Sequence, residues 1–281
     1  MTGIYNFECG THILHLSERT HIMGIVNVTP DSFFDGGLYL DTDKALDHAI
    51  RMIEQGADII DVGGESTRPG ADTVPAQEEK NRVVPLIEKI RKNSDIPISI
   101  DTRKSDVAKA ALDAGASIIN DVSGLNFDPN LVIVASKYKS GLVLMHMKGD
   151  PKSMQKNPVY NNLIDDIIAS LKTSIQTALD HQIAREKILI DPGIGFGKKW
   201  EDNYIILNQL EAFQTLGYPL LIGLSRKSFI GRLLNLTENE RMLGTAVANA
   251  IAIYKGAHII RVHDVPEMVQ TARIVDQIRN L

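Results

Sequence analysis

Short apolar runs that favour β-strands alternate along this chain with longer segments of helical periodicity. Eight such runs are present, at residues 22–26, 58–62, 98–101, 117–121, 142–146, 188–191, 219–224 and 257–262. This alternation is expected of repeated βα units around a parallel sheet. Because eight parallel strands without a break point favour closure of the sheet, the pattern predicts an α/β fold of the (β/α)8 TIM-barrel type.

An internal repeat supports the barrel. The sequence Gly-Ala-x-Ile-Ile begins at Gly56, Gly115 and Gly256, each time where a helical segment gives way to a strand. A glycine can end the helix in the left-handed conformation, and the two isoleucines then begin a buried strand. The residues that follow the three Ile pairs are polar: Asp61, Asn120 and Arg261. We expect polar strand ends of this kind where barrel active sites are built.

The chain is interpreted as a single domain over residues 1–281, because no Pro-rich or Ser-rich linker divides it. Residues 1–21 are typical of a small hairpin or arm, which we expect to cover the bottom of the barrel, and a final helix is expected near residues 266–279. The competing architecture is an open doubly wound sheet. The lack of a Gly-x-Gly-x-x-Gly turn after any strand disfavours it.

Charge and composition exclude several kinds of partner. Lys and Arg total 30 against 35 Asp and Glu, and the resulting net charge of −5 gives no general attraction to nucleic acid or anionic membranes. The first twenty residues do not resemble a signal peptide, and no apolar run approaches the roughly 18 residues that span a bilayer. A single cysteine, Cys9, suits a reducing compartment and is expected to pack rather than react. We therefore expect a cytoplasmic protein.

Two segments after the first strands carry candidate chemistry. Residues 27–37 form a long polar connection with the aromatic pair Phe33 and Phe34, which is typical of a mobile active-site loop, with an ordinary surface loop as the alternative. Residues 63–70, Gly-Gly-Glu-Ser-Thr-Arg-Pro-Gly, place an arginine among glycines and hydroxyls. This combination suits a phosphate, although a structural turn would have the same composition.

Carboxylates and an amide end three further strands, at Asp101, at Asn120 with Asp121, and at Asp191. If they converge on the barrel mouth, they suit a ligand rich in N–H donors, such as an aminopyrimidinone ring. Alternatively, Asp101 and Asp191 cap helices or pair with Lys and Arg. A metal cluster is a further alternative, but the chain has no His-x-x-x-His or His-x-His.

The later strand ends are glycine-rich or basic. Residues 191–198 form a glycine-rich turn that carries Phe196, which suggests close approach of the backbone to a flat ligand. Ser228 stands at a predicted helix start that can receive an anion, and the preceding Lys227 can reach back into the barrel. Arg261 and His263 alternate along the last strand and should share a face, in the part of a barrel that often binds phosphate.

Taken together, these segments closely resemble the dihydropteroate synthases of the bacterial folate pathway. The match runs from Met23 to the C-terminal helix through MGIVNVTPDSFFDGG, GGESTRPGA, SIDTRK, INDVSG, MHMKG, DPGIGFGK, SRKSFIG, GTAVANA and RVHDV. The resemblance implies a transferase that joins p-aminobenzoate to 6-hydroxymethyl-7,8-dihydropterin pyrophosphate, with Mg²⁺ assisting, and that releases pyrophosphate and 7,8-dihydropteroate. It also implies a homodimer formed through the late helices.

The resemblance further implies roles for individual residues. The pterin would be bound by Asp101, Asn120, Met145, Asp191 and Lys227. The pyrophosphate would be surrounded by Asn27, Arg68, Arg261 and His263, with Asn27 also near Mg²⁺. The p-aminobenzoate site would be formed by Phe33, Thr67, Pro69, Phe196, Lys227 and Ser228. The residues expected to act in catalysis are Asp35, Lys227 and Asn27.

We hypothesise a dissociative substitution, because pyrophosphate leaves readily once cations neutralise its charge and an electron-rich pterin can stabilise a cationic methylene group. Asp35 would stabilise that cation, and the loop at residues 27–37 would close to exclude water. The alternatives are a pterin-binding barrel of the methyltransferase type and a non-catalytic pterin-binding scaffold. The basic groups at Arg68, Lys227 and Arg261 favour the synthase over the methyltransferase type, which needs no pyrophosphate site. A non-catalytic scaffold should show damaged loops, and none is visible in the sequence.

Overall fold

Eight parallel strands form a closed barrel in the computed structural model. The structure describes residues 5–28, 37–66, 71–149, 152, 154–155 and 158–281, and for residues 37–41 it describes the backbone alone. Around the barrel the order is β10-β3-β4-β5-β6-β7-β8-β9, so every strand pairs with its neighbour in sequence and the last strand pairs with the first. The strands are β3 (His21–Asn27), β4 (Ile59–Gly63), β5 (Ile98–Asp101), β6 (Ile118–Asp121), β7 (Gly141–Met145), β8 (Ile188–Asp191), β9 (Leu220–Gly223) and β10 (Ala257–Val262). The predicted TIM barrel is confirmed, and no strand bound differs from its prediction by more than one residue.

Helices surround the barrel and connect its strands. They are α1 (Gly37–Glu54), α2 (Ala76–Asn93), α3 (Ser105–Asp113), α4 (Leu131–Tyr138), α5 (Leu163–Asp180), α6 (Trp200–Asn208), α7 (Ser228–Leu234), α8 (Met242–Tyr254) and α9 (Val265–Arg279). One helix follows most strands, whereas α7 and α8 both follow β9. None of the described helices is long and apolar enough to cross a membrane. The single domain over residues 1–281 stays a prediction.

The three repeated glycines end helices as the sequence predicts. Gly56, Gly115 and Gly256 have φ angles of +103°, +112° and +98°, in the left-handed region where a side chain is strained. After Gly56, the amide of Ala57 donates to the carbonyl of Met52 at 2.9 Å, which satisfies a carbonyl of the last helical turn. This bond turns the chain from α1 directly toward β4.

The N-terminal segment is a two-stranded antiparallel hairpin of β1 (Asn6–Cys9) and β2 (His12–His15). Its residues Phe7 and Cys9 are fully buried against the start of β7, where a side chain on Gly141 would meet the Cζ atom of Phe7 at 2.6 Å. Burial raises the pKa of the Cys9 thiol to about 12, so this residue packs as predicted. The hairpin therefore closes the bottom of the barrel.

Candidate active site

An arginine at the barrel mouth bridges two carboxylates. The Arg261 guanidinium donates from Nε to Asp61 Oδ2 at 2.6 Å and from Nη2 to Asp101 Oδ2 at 2.7 Å. The Asn120 amide lies on the other side of Asp61, with Nδ2 at 3.3 Å from Oδ2. The three polar residues of the Gly-Ala-x-Ile-Ile repeats thus meet in one cluster. Asp61 was not assigned to the site from the sequence, although the repeat marked its position.

Asp101 retains an acceptor oxygen that no described donor reaches. Its Oδ1 atom is buried and has no hydrogen-bond partner in the described part of the chain. Burial raises the pKa of this carboxyl to about 7, partly offset by Arg261 and reinforced by the carboxylate of Asp61. Oδ2 of Asp101 therefore forms an ion pair with Arg261, as one alternative from the sequence predicts. Oδ1 is available to accept an N–H group from a ligand.

Asp191 ends β8 and enters the glycine-rich turn. Its Oδ1 atom accepts the backbone N–H of Gly193 at 2.7 Å, and burial raises the pKa of the carboxyl. Gly193 has φ +70°, and a side chain there would overlap the carbonyl oxygen of His146. Met145, the residue paired with Asp191 in the β7–β8 register, is buried beside it. The turn thus places glycine backbone, the Asp191 carboxylate and the Met145 thioether next to one another.

Lys227 points from the start of α7 toward this turn. Its ammonium donates to the carbonyl of Ile194 and lies 4.5 Å from the centre of the Phe196 ring. Burial lowers the pKa of Lys227 to about 8, and the carboxylate of Asp191 opposes that shift. The preceding Arg226 points elsewhere and forms hydrogen bonds of 3.0 and 2.5 Å with Asp264. Ser228, the first residue of α7, is exposed.

Two further predicted residues lie near the Arg261 bridge. A side chain on Gly63 would come within 3.2 Å of Asn27 Oδ1 and 3.9 Å of Asp101 Oδ2, so these two oxygens border the same small space. His263 follows β10, and its backbone N–H and Nδ1 atoms lie 3.1 and 2.9 Å from the hydroxyl of Ser225. Five predicted site residues lie outside the described residues: Phe33, Asp35, Thr67, Arg68 and Pro69.

Asp121 does not join the cluster, so that expectation is wrong. Its two oxygens accept the amide and hydroxyl of Ser123 at 2.8 and 2.6 Å and the amide of Leu125 at 2.6 Å. Successive residues of a strand face opposite sides of the sheet, and Asn120 already takes the inward position. Asp121 instead organises the connection that follows β6.

A buried Lys198 was missed from the sequence. Its ammonium nitrogen lies 2.8 Å from Nδ1 of His146 and donates to the carbonyl of His146 at 3.1 Å. Burial lowers the pKa of Lys198 well below its ordinary value, and burial together with Lys198 lowers the pKa of His146 to about 3. This contact ties the end of the glycine-rich turn to the end of β7. No local signal could reveal it, because the two residues are 52 positions apart.

A cavity of about 610 Å³ opens beside the glycine-rich turn. Its lining includes Gly195, Lys198, Trp200, Ser228, Phe229 and Arg232. The cavity therefore lies between the glycine-rich turn and the starts of α6 and α7.

Comparisons with known proteins agree with this geometry. Residues 23–263 match the family of pterin-binding enzymes. The chain is 47% identical to a dihydropteroate synthase of Bacillus subtilis over 95% of this chain and 91% of that protein, and 46% identical to one of Escherichia coli over 92% of each. It superposes with a TM-score of 0.93 on the crystal structure of the Yersinia pestis dihydropteroate synthase with a sulfonamide drug complex, at 44% identity, covering 98% of this chain and 100% of that chain. The chain therefore belongs to the dihydropteroate synthases, transferases of the pterin-binding enzyme family.

Proposed function

We propose that this chain condenses 6-hydroxymethyl-7,8-dihydropterin pyrophosphate with p-aminobenzoate in the cytoplasm to give 7,8-dihydropteroate and pyrophosphate. The observation that carries the proposal is the buried cluster of Asp61, Asp101, Asn120 and Arg261, which keeps Oδ1 of Asp101 available inside a barrel of this family. A methyltransferase-type barrel and a non-catalytic scaffold are not favoured, because the relatives named above are synthases.

The pterin is assigned to the inner part of the mouth. Asp191 and Asp101 would accept the amino and ring N–H groups, since a carboxylate can bind two adjacent donors in parallel. Asn120 would bind the ring edge, and Met145 would pack against its face. Lys227, whose ammonium already lies over Phe196, would contact the pterin on one side and p-aminobenzoate on the other.

The pyrophosphate is assigned to the basic side of the mouth, where Arg261 and His263 would bind it together with Arg68. Asn27 Oδ1, which borders the same small space as Asp101 Oδ2, is an oxygen donor of the kind that Mg²⁺ takes. When bound, Mg²⁺ would neutralise charge on the leaving pyrophosphate.

The p-aminobenzoate is assigned to the outer part of the mouth, between Phe196, Lys227 and Ser228, with Phe33, Thr67 and Pro69 completing the site. A dihydropteroate synthase from Xanthomonas albilineans with 4-aminobenzoic acid superposes on this chain with a TM-score of 0.92 at 40% identity, covering 99% of this chain and 100% of that chain, which supports p-aminobenzoate as a substrate of this chain.

The proposed chemistry is a dissociative substitution. The bond between the pterin methylene carbon and the pyrophosphate oxygen breaks first, and the oxygen takes the electron pair. The nitrogen of p-aminobenzoate then attacks the cationic methylene group and loses a proton. Asp35 would stabilise the cation, and residues 27–37 would exclude water from it. Asp35→Ala should therefore impair turnover far more than it weakens binding of the pterin pyrophosphate.

The decisive experiment incubates the purified chain with both substrates and Mg²⁺ and measures dihydropteroate by chromatography. Product is expected from the wild-type chain and from Asp113→Asn, which changes an exposed carboxylate that pairs with Lys109 on α3. Asp101→Asn should lower the rate by about 10²-fold or more, because it removes one charged acceptor from the cluster. A folded wild-type chain that makes no product would contradict the proposed function.

We also propose a homodimer formed through α8 and α9. Exposed apolar side chains form a stripe on these two packed helices: Leu243, Val247, Ile251, Tyr254, Ile274 and Ile278. Apolar patches of this size on a surface mark interaction sites, and a second copy of the chain is the occupant that the family resemblance implies. Sedimentation should show a dimer for the wild-type chain and a monomer for the variant Leu243→Glu with Val247→Glu. A wild-type monomer at micromolar concentration would contradict the dimer.

A further inference from the structure

A buried ionic cluster lies beside the active site and has no role in the chemistry proposed above. It consists of Glu65, Glu79, Arg103 and Lys104, and is called the Lys104 cluster here. The side chains of Glu79 and Arg103 are 1% and 4% exposed, and those of Glu65 and Lys104 are 7% and 13% exposed. Buried charges of this kind contribute little to stability on balance, because removing them from water costs about as much as their attraction returns. Their arrangement therefore calls for another explanation.

One ammonium group joins three acceptors in this cluster. Nζ of Lys104 donates to Glu65 Oε2 at 2.6 Å, to Glu79 Oε2 at 2.5 Å and to the carbonyl of Val74 at 2.7 Å. Glu65 Oε2 also accepts the backbone N–H of Val74 at 2.7 Å. The side chains of Lys104 and Glu65 thus bind the carbonyl and the N–H group of Val74, and these bonds hold residues 65 and 74 together.

Further contacts connect Glu65 and the preceding Gly64 to the rest of the barrel. Nη2 of Arg103 lies 3.3 Å from Glu65 Oε1, and Nη1 of Arg82 on α2 donates to the carbonyl of Gly64 at 2.8 Å. A side chain on Gly64 would come within 2.7 Å of Val83 Cγ1, so the backbone lies directly against α2. The start of the segment at residues 65–74 therefore has a defined position relative to α2.

The position of Lys104 in the chain links this cluster to the active site. Lys104 and Arg103 follow Asp101 closely in the connection that leaves β5, so one short stretch supplies a carboxylate to the Arg261 bridge and two cations to Glu65. The sequence motif SIDTRK contains all three residues. Only its aspartate is used by the proposed substrate contacts.

We propose that Lys104, together with Glu65 and Glu79, is a positioning residue that holds together the two ends, at residues 65 and 74, of the segment that follows β4. The inference rests on the proposed function in that Thr67 and Arg68, which lie within this segment in the sequence, are assigned to p-aminobenzoate and pyrophosphate. Lys104 acts through them and touches no substrate. A displacement of about 1 Å in such groups can cost roughly 10²-fold in rate.

The test uses a double variant, Lys104→Met with Glu79→Gln. Methionine keeps an unbranched side chain but cannot donate, and glutamine avoids leaving an unpaired buried carboxylate, so the variant should fold. Lys109→Met is the matched control, because Lys109 lies on α3 close to Lys104 but its ion pair with Asp113 is exposed. Thermal unfolding of both variants is compared with that of the wild-type chain.

Amide hydrogen exchange followed by mass spectrometry tests the position of the segment without any substrate. The double variant should exchange about tenfold faster in peptides that cover residues 65–74 and at the wild-type rate in peptides that cover residues 188–198. The control should match the wild-type chain in both regions. Unchanged exchange at residues 65–74 in the folded double variant would overturn the positioning role, whatever the activity of the chain.

Steady-state kinetics and ligand binding test the consequence. The double variant should lose about 10²-fold in kcat/KM for p-aminobenzoate, whereas its Kd for pterin without pyrophosphate should change by less than about twofold. An equal loss in both would show that the cluster supports the whole barrel mouth and would overturn the inference. A wild-type chain that forms no dihydropteroate would contradict the proposed function instead, and the exchange experiment would still decide the positioning role.

Discussion

The interior of the barrel has two layers that differ in chemistry although they come from the same strands. The lower layer is apolar and is formed by Met23, Ile59, Ile118, Val143, Leu189, Leu221 and Ile259, packed against Phe7 and Leu16 of the N-terminal segment. Two residues further along four of these strands, the upper layer holds Asp61, Asn120, Asp191 and Arg261. Residues i and i+2 of a strand face the same side, so a step of two residues separates the packed core from the reactive site.

Residues that stabilise the fold and residues that serve its function are therefore separated along the barrel axis. The lower layer loses water-exposed apolar surface on folding, which is favourable in itself. The upper layer buries carboxylates and cations, and this is unfavourable unless each finds a partner. Oδ1 of Asp101 has no hydrogen-bond partner among the residues that the structure describes, and the pKa of Lys227 is lowered. The charges at the barrel mouth are therefore incompletely paired there before substrates bind.

Truncation in the lower layer should have the largest effect on stability. Ile59→Ala removes a fully buried side chain beneath Asp61, and the cavity it leaves should lower the free energy of unfolding by about 2–5 kcal/mol. Denaturant unfolding measures this loss. The folded fraction should keep kcat/KM within about twofold of the wild-type value at 25 °C. A large loss of activity in folded protein would show that the two layers are coupled.

The opposite result is expected in the upper layer. Asp191→Asn keeps the shape of the side chain but removes the charge that would bind the pterin, and should lower kcat/KM by roughly 10² to 10³-fold. Because burial raises the pKa of Asp191, the charged carboxylate lowers the stability of the folded chain relative to a neutral side chain. The free energy of unfolding should therefore change by less than about 1 kcal/mol or increase. Marked destabilisation would contradict the separation of the layers.

A smaller loss of stability is expected from changes where the N-terminal hairpin packs against the bottom of the barrel. Gly141→Ala places a methyl group against the Phe7 ring and should cost about 1–3 kcal/mol through overpacking. The combination with Phe7→Leu should recover part of this loss, because the smaller side chain makes room. Thermal unfolding and kcat/KM are measured for both variants, and activity is expected to stay at the wild-type level. No recovery in the double variant would contradict the proposed packing.

The smallest expected effect is a change of activity with pH, which reports on the upper layer alone. Since the pKa of Lys227 is lowered to about 8 and that of Asp101 is raised to about 7, kcat/KM should be highest between these values and fall about tenfold for each further pH unit on either side. Lys227→Arg should move the alkaline limb to higher pH. An alkaline limb that does not move would contradict the assignment to Lys227.

The same two groups connect pH to stability. The pKa of Asp101 is raised from 3.8, so its contribution to stability is complete below pH 3.8 and is lost as the pH rises through about 7. The pKa of Lys227 is lowered from 10.5, so its contribution is complete above pH 10.5 and is lost as the pH falls through about 8. Between pH 7 and 8 both ionised groups therefore cost stability, and ligand binding should offset that cost.

Several elements of the site could be predicted from the sequence because their signals are local. The strand ends at Asp101, Asn120, Asp191 and Arg261 were identified from short motifs, and the structure brings them to the barrel mouth. The sequence predicts that Asp121 converges with the other carboxylates, because it does not show which of two successive strand residues faces the barrel interior. Glu65, Lys104 and Lys198 were not recognised, since each depends on a partner far away in the sequence, as with the 52 positions between Lys198 and His146.

The sequence by itself determined the barrel, its closing hairpin and the family, because these depend on periodicity, glycines at positive φ and ordered motifs, all of which are local properties of the chain. Only the tertiary structure decided which charges face each other. Arg261 and Asp61 are 200 positions apart, yet their side chains lie 2.6 Å from each other. Electrostatic partners in a buried site are selected by distance and desolvation after the sheet has closed, and no local pattern in the chain records that choice.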